Sequence, residues 1–263
     1  MKTVSLTITL LFLFLSALPL QAEDKTDVAA IIDQANLTSY YQGQDGRADV
    51  TLTITDNQGR VREREMTILR RDVTDGGEQQ FYVFFKRPSD VRKMTFLVHK
   101  KTSGDDDRWL YLPALDLVKR IASSDKRTSF VGSHFFYEDV SGRAIHEDEH
   151  QLIETTDQYY VINNTPKDPG SVEFTSYTVW IDKTNSMPMK AEYRNTAGNV
   201  YREVEVLEVQ DIQGYPTVTK SRIRDLESGG ETVSSLSNIG YDISLKESIF
   251  TERFLRRPPR EVR

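Results

Sequence analysis

ADVTLTIT, residues 48–55, decides the fold class. Val50, Leu52 and Ile54 alternate with Thr51, Thr53 and Thr55. Side chains on a strand point to opposite faces in turn, so this pattern is a strand with one apolar and one polar face. The same two-residue period recurs on both sides of it. NQGR (57–60) turns the chain into a second strand from Val61 to Arg71, and Gly76-Gly77 leads into FYVFF (81–85), which Lys86-Arg87-Pro88 ends. MTFLVHKK (94–101), the turn SGDDD (103–107), RWLYLP and LDLVKRIA follow. Downstream come HQLIET, QYYVIN, VEFTSYTVWID, PMKAEYRN, NVYREVEVLEVQ, TVTKSRIRD and ETVSSLSNI, joined by KDPGS, TNSMP, TAGN, IQGYP and ESGG. Strands at this spacing with Gly- and Pro-rich turns predict an antiparallel meander.

Only two segments read as helix. In DVAAIIDQANL (27–37), Val28, Ile31, Ile32 and Ala35 share one helical face. KESIFTERFLRR near the end predicts a short helix, which PPR stops. FYVFF is apolar on both faces, and SFVGSHFFYED (129–139) carries Phe130, Phe135, Phe136 and Tyr137. One sheet face does not need that much apolar surface. Either the sheet curls around a cavity or a helix covers its concave side, and a barrel with a helical lid satisfies both demands.

The 263-residue chain starts with Lys2, an apolar run from Leu6 to Leu20 and a small residue, Ala22. That is the layout of a cleaved secretory signal peptide over residues 1–22, with one exported domain over 23–263. Its run is shorter than the ~20 apolar residues that span a bilayer. The chain has no cysteine, which leaves neither a lipoprotein attachment point nor a disulfide. Loss of residues 1–22 leaves 33 basic against 40 acidic groups, which argues for solubility and against a nucleic-acid partner. A monomer is expected.

HEDEH (146–150) fits H-E-x-x-H, with His146 and His150 as zinc ligands and Glu147 as base. That chemistry needs a helix with an apolar side and a third ligand. The residues between the histidines are all acidic, none of the four histidines follows His150, and Glu173 lies in a strand-like run. A solvated turn before a hairpin is the expected structure, and no metal or cofactor is expected. There is no G-x-S-x-G, P-loop or G-x-G-x-x-G, so no enzyme class is supported. Lys119, Arg120, Lys126 and Arg127 read as solvated strand edges, or alternatively as a docking patch. The aromatic segment reads as a core plug, or alternatively as the wall or gate of a site for a hydrophobic ligand.

RWLYLPALDLVKRIASSDKRTSFVGSHFFYEDV, residues 108–140, resembles the outer membrane lipoprotein-sorting protein family, periplasmic proteins similar to the LolA and LolB carriers. Trp109, Leu110, Tyr111 and Pro113 carry the resemblance, with Arg120 and Ile121, then Ser129, Phe130, Gly132, Ser133, Phe135 and Asp139. VWIDKTNSMPMKAEYRNTAGN (179–199) is similar to a second family pattern. The resemblance implies a mainly β fold, a half-open antiparallel barrel of about eleven strands with helices over the concave face. It also implies the periplasm as the destination, and a carrier for lipid acyl chains or a lipoprotein's anchor, with an RND-type inner-membrane transporter as partner. Alternation nominates the cavity wall: Leu52 and Ile54, Phe84, Phe96 and Val98, Leu110 and Leu112, Val179 and Ile181, with Phe130, Phe135 and Phe136 at the gate. A slip of one residue would reverse each choice. The competing readings are a non-carrier sensor or transporter accessory on the same fold, and the zinc hydrolase.

Overall fold

Asp27 caps the first helix, its carboxylate accepting from the amides of Ala29 and Ala30. The structure is a computed structural model that describes residues 27–263; the expected signal peptide lies outside them. Helix α1 runs Val28–Tyr40, one turn past the predicted end. Strands β1 (Asp45–Asp56), β2 (Val61–Asp72), β3 (Gln79–Arg87), β4 (Thr95–Lys100), β5 (Asp107–Leu112) and β6 (Leu117–Arg120) follow. After a long irregular crossover come β7 (Asp148–Thr155), β8 (Tyr159–Pro166), β9 (Ser176–Asp182), β10 (Pro188–Arg194), β11 (Val200–Ile212), β12 (Tyr215–Asp225) and β13 (Gly230–Tyr241). The predicted C-terminal helix is a 3-10 turn, Glu247–Ile249, and one helical turn, α2 (Arg253–Arg256).

All thirteen strands form one antiparallel sheet in the order β6-β5-β4-β3-β2-β1-β13-β12-β11-β10-β9-β8-β7. That is two more strands than the eleven or so expected. Two meanders are joined where β1 meets β13, with Leu52 opposite Ser234 and Ile54 opposite Thr232. The edges β6 and β7 do not pair, so the barrel is half open.

The β1–β5 half is covered on both faces, which accounts for FYVFF. Phe81, Val83 and Phe85 point inward with Leu52, Ile54, Met66, Phe96, Val98 and Leu110. The crossover lays Ile121, Phe130 and Tyr137 on top of them. Tyr82 and Leu97 point outward, under Leu245, Ile249, Phe250, Leu255 and Val262 of the C-terminal segment. Side chains tie that cover down: the Tyr82 hydroxyl donates to the Phe254 carbonyl at 2.7 Å, and the Thr95 hydroxyl to the Leu255 carbonyl at 2.9 Å.

The β7–β12 half has a different cover. Ile31, Ile32 and Ala35 of α1 pack on Tyr160, Ile162 and Ile181. A helix end leaves carbonyls without intrahelical donors. Here Arg70 donates to the carbonyls of Tyr40 and Gly43, both at 2.7 Å, and Gln79 donates to that of Tyr40 at 2.7 Å. These bonds clamp the C-terminal end of α1 to the first half of the sheet.

Candidate ligand cavity

A cavity of about 300 Å³ lies between α1, the end of the crossover and the inner face of β7–β12. Its wall follows from the strand register. Leu152 pairs with Ile162, Ile162 with Val179, Val179 with Ala191, Ala191 with Val204, and Val204 with Ile223. That is an unbroken apolar row across six strands. Two residues along each strand, on the same face, runs a second row: His150, Asn164, Tyr177, Tyr193 and Arg202. The cavity is thus apolar along its wall and polar at one end. Ile32, Ala35 and Tyr40 of α1 close it from above, and Phe135, Asp139, Gly142 and Arg143 of the crossover border the polar end.

Behind that end lies a buried ion-pair network. Glu138, 2% exposed, meets Arg127 at 2.6 Å and Lys126 at 3.1 Å. Lys126 also binds Glu147 at 2.9 Å, Arg143 binds Asp148 at 2.8 Å, and Arg202 binds Asp139 at 2.6 Å. Burial alone would raise the Glu138 carboxyl, but Arg127, Lys126 and Arg143 outweigh it and hold the group below the usual glutamate range. Arg127 lies over the rings of Phe136, Phe174 and Tyr193 at 4.9, 4.7 and 5.4 Å. Lys126 and Arg127 are therefore neither solvated edges nor a docking patch. Lys119 and Arg120 stay exposed on β6.

The nominated wall residues separate into three groups. Val179 and Ile181 line the cavity, as does Phe135. Leu52, Ile54, Phe96, Val98 and Leu110 also face inward, but under Phe130 in the filled half, with Leu112 packed at the margin. Phe84 faces the outer cover, because its neighbours Val83 and Phe85 both point inward. Phe136 does not border the cavity; Arg127 and Arg202 sit against its ring, the latter at 4.4 Å. Ile32, Ala35, Ala191, Val204, Val206 and Ile223 were not nominated. The alternation in REVEVLEV (202–209) contained the signal for Val204 and Val206; nothing local marks Ala191.

HEDEH spans a 3-10 turn, Ile145–Glu147, and the start of β7. His146 is exposed. Both ring nitrogens of His150 are engaged, Nδ1 with the Asn164 side chain at 2.6 Å and Nε2 with the Ile145 carbonyl at 2.9 Å. Glu147 belongs to the ion-pair network. The three side chains do not converge, and no group of three or more His, Cys, Asp or Glu among the described residues is placed to hold a metal.

A family model described as "-like: Uncharacterized protein" matches residues 77–257. No curated protein matches the chain significantly. Among solved structures, a DUF1329 family protein from Desulfovibrio piger is 28% identical, with a TM-score of 0.78 over 87% of this chain and 98% of that one. A putative outer membrane lipoprotein-sorting protein domain from Vibrio parahaemolyticus is 27% identical, with a TM-score of 0.78 over 87% of this chain and 97% of its own. A LolA superfamily protein from Nitrosomonas europaea, 22% identical over 86% of this chain and 98% of that chain, shares the fold with a TM-score of 0.66. The chain belongs to the family whose model spans residues 77–257, and over most of its length it is similar to solved DUF1329 and outer membrane lipoprotein-sorting domains, with the fold of a LolA superfamily protein.

Proposed function

We propose that this protein is a periplasmic carrier, without catalytic activity of its own, that holds a lipid acyl chain or the lipid anchor of a lipoprotein under α1 on its way towards the outer membrane. The observation that carries the reading is the apolar row Val179, Ala191, Val204 and Ile223 facing a cavity under a helix clamped at one end. Each CH₂ moved from water into such a site gains about 0.8 kcal/mol, so a covered tail crosses water far more readily than a bare one. An RND-type inner-membrane transporter is proposed as the partner that loads or unloads it.

Native mass spectrometry of protein taken from its own periplasm, followed by lipid extraction, tests the proposal. Bound lipid is expected in the wild type and lost in Ala191→Trp, whose ring would fill the cavity. A chain that never carries lipid, and takes up no acyl probe in vitro, would refute it. The filled β1–β5 half favours a second reading, a sensor or transporter accessory that binds no lipid. On that reading Ala191→Trp leaves function in the cell unchanged, because the cavity is only a packing defect.

A further inference from the structure

The polar end of the cavity holds two phenol hydroxyls that the fold leaves without a hydrogen-bond partner among the described residues. The hydroxyl of Tyr177 donates to Asp148 at 2.7 Å, Tyr201 binds Glu173 at 2.6 Å, and Tyr82 binds a carbonyl. Tyr40 and Tyr193 also line the cavity, yet neither hydroxyl has a hydrogen-bond partner among the described residues. Both rings are held firmly. Tyr193 stacks on Tyr177 with centroids 4.8 Å apart and an interplanar angle of 16°. Tyr40 ends α1, with the Lys100 ammonium 4.9 Å from its ring centroid. Gly142 makes room for it: a Cβ there would lie 2.4 Å from the Tyr40 ring carbon that carries the hydroxyl. Asp139 stands at the same end. Its Oδ2 accepts from the Phe136 amide and from Arg202, both at 2.6 Å, while Oδ1 has no partner among the described residues.

Polar atoms that the protein leaves unpartnered on a cavity wall are matched by what the cavity holds, water or a ligand that replaces it. Two unpartnered donors and one unpartnered acceptor thus stand at the polar end of a largely apolar space. We propose that this end recognises a neutral acyl group, an ester or amide carbonyl with a donor beside it, the carbonyl accepting from Tyr40 and Tyr193 and the donor meeting Asp139. A free carboxylate or phosphate is a poor fit. Glu138 and Asp139 border the site, and its two bordering basic residues, Arg143 and Lys190, already have acidic partners. Arg202 pairs with Asp139 through one nitrogen, and its unpartnered Nε and Nη1 are buried in a residue that does not border the cavity. Burial first, then the nearby Asp139, raises the Tyr40 phenol, so it stays a donor at neutral pH. The inference rests on the carrier reading and narrows it from any apolar chain to one class of acyl derivative.

Four probes of equal chain length test it on the purified protein: a monopalmitoyl glycerol ester, a palmitoyl ethanolamide, the hexadecyl glycerol ether and palmitate. The ether keeps the hydroxyls and the tail but lacks the carbonyl. Ester and amide are expected to bind about tenfold more tightly than ether or palmitate, the effect of one or two neutral hydrogen bonds. Tyr40→Phe and Tyr193→Phe keep the rings and remove only unpartnered hydroxyls, so both variants should fold. Each should weaken the ester and amide a few-fold and leave the ether unchanged. Equal binding of ester and ether in the wild type, tighter binding of palmitate, or no change in the Phe variants overturns the inference while the carrier reading stands. Binding of none of the four overturns both.

Discussion

Replacing Phe130 by Ala should cost this protein about 4 kcal/mol, as much as a single core change commonly does. Phe130 is 3% exposed and sits at the centre of the filled half. Its ring centroid lies 5.6 Å from Phe85, 5.5 Å from Phe96 and 5.4 Å from Tyr137, the last edge-on. Truncating a buried Phe costs roughly 3–5 kcal/mol through lost transfer energy and the cavity left behind. Each aromatic pair adds ~0.5–1.5 kcal/mol beyond area, which puts this site in the upper part of that range. For a chain of this size the melting temperature should fall by roughly 8–16 °C. Urea unfolding followed by the fluorescence of Trp109 and Trp180 measures the loss directly. Phe135, half-buried and open to the cavity, is the control; its truncation should cost roughly 1 kcal/mol, because a partly exposed site leaves little empty volume. A loss below about 1 kcal/mol for Phe130→Ala would show that the ring is not structural. The 129–139 segment would then be a gate that lifts from the sheet, and the division into filled and open halves would be wrong.

Three further outcomes follow from the polar interior. Glu138→Gln should cost about 3 kcal/mol at neutral pH, since it leaves three basic side chains short of a counter-charge. Because the folded-state pKa of Glu138 is depressed, its contribution is present above its ordinary value near 4.5 and is lost as pH falls through the folded value. The variant should therefore show a flatter acid limb in unfolding curves taken below pH 4.5; an unchanged limb would remove Glu138 from the network. His146→Ala should be neutral, whereas His150→Ala should cost about 1–3 kcal/mol by stranding the Asn164 side chain and the Ile145 carbonyl. Equal effects, or a zinc-dependent rise in melting temperature, would revive the metal site. Gly142→Ala should cost about 2 kcal/mol or more, from its left-handed φ of +76° together with the clash against Tyr40; loss of acyl-ester binding without loss of ether binding would be the accompanying sign in a titration.

The strands were legible in the sequence because alternation is a local signal: Val50, Leu52 and Ile54 reveal their face without knowledge of any partner. What alternation cannot reveal is which cover a face receives. Leu52 and Val179 look alike in sequence, each an apolar residue on an alternating strand. They end in different surroundings because the crossover lays Phe130 and Tyr137 over β1–β5, while α1, joined by Ile145, lies over Ile162 and Ile181. Both covers are long-range contacts, as is the C-terminal segment that turns Phe84 away from the cavity. The same limit applies to charge. Lys126 and Arg127 sit in a polar, turn-rich stretch and read as solvated, yet Glu138 and Glu147 from that same crossover, and Glu173 beyond it, enclose them. Desolvating so many charges costs several kcal/mol per ion, and the pairing repays it only when the partners are held in place. A fold that needed stability alone could have used apolar packing there, as it does around Phe130. Retaining the ionic cluster directly behind the polar row of the cavity ties the crossover to β11 and to the loop before β9, with Arg127 against the Tyr193 ring, and so holds Tyr193, Asp139 and Gly142 in place. Stability is thus concentrated in the filled half, whereas the open half uses costlier interactions to hold particular groups at one end of an apolar space.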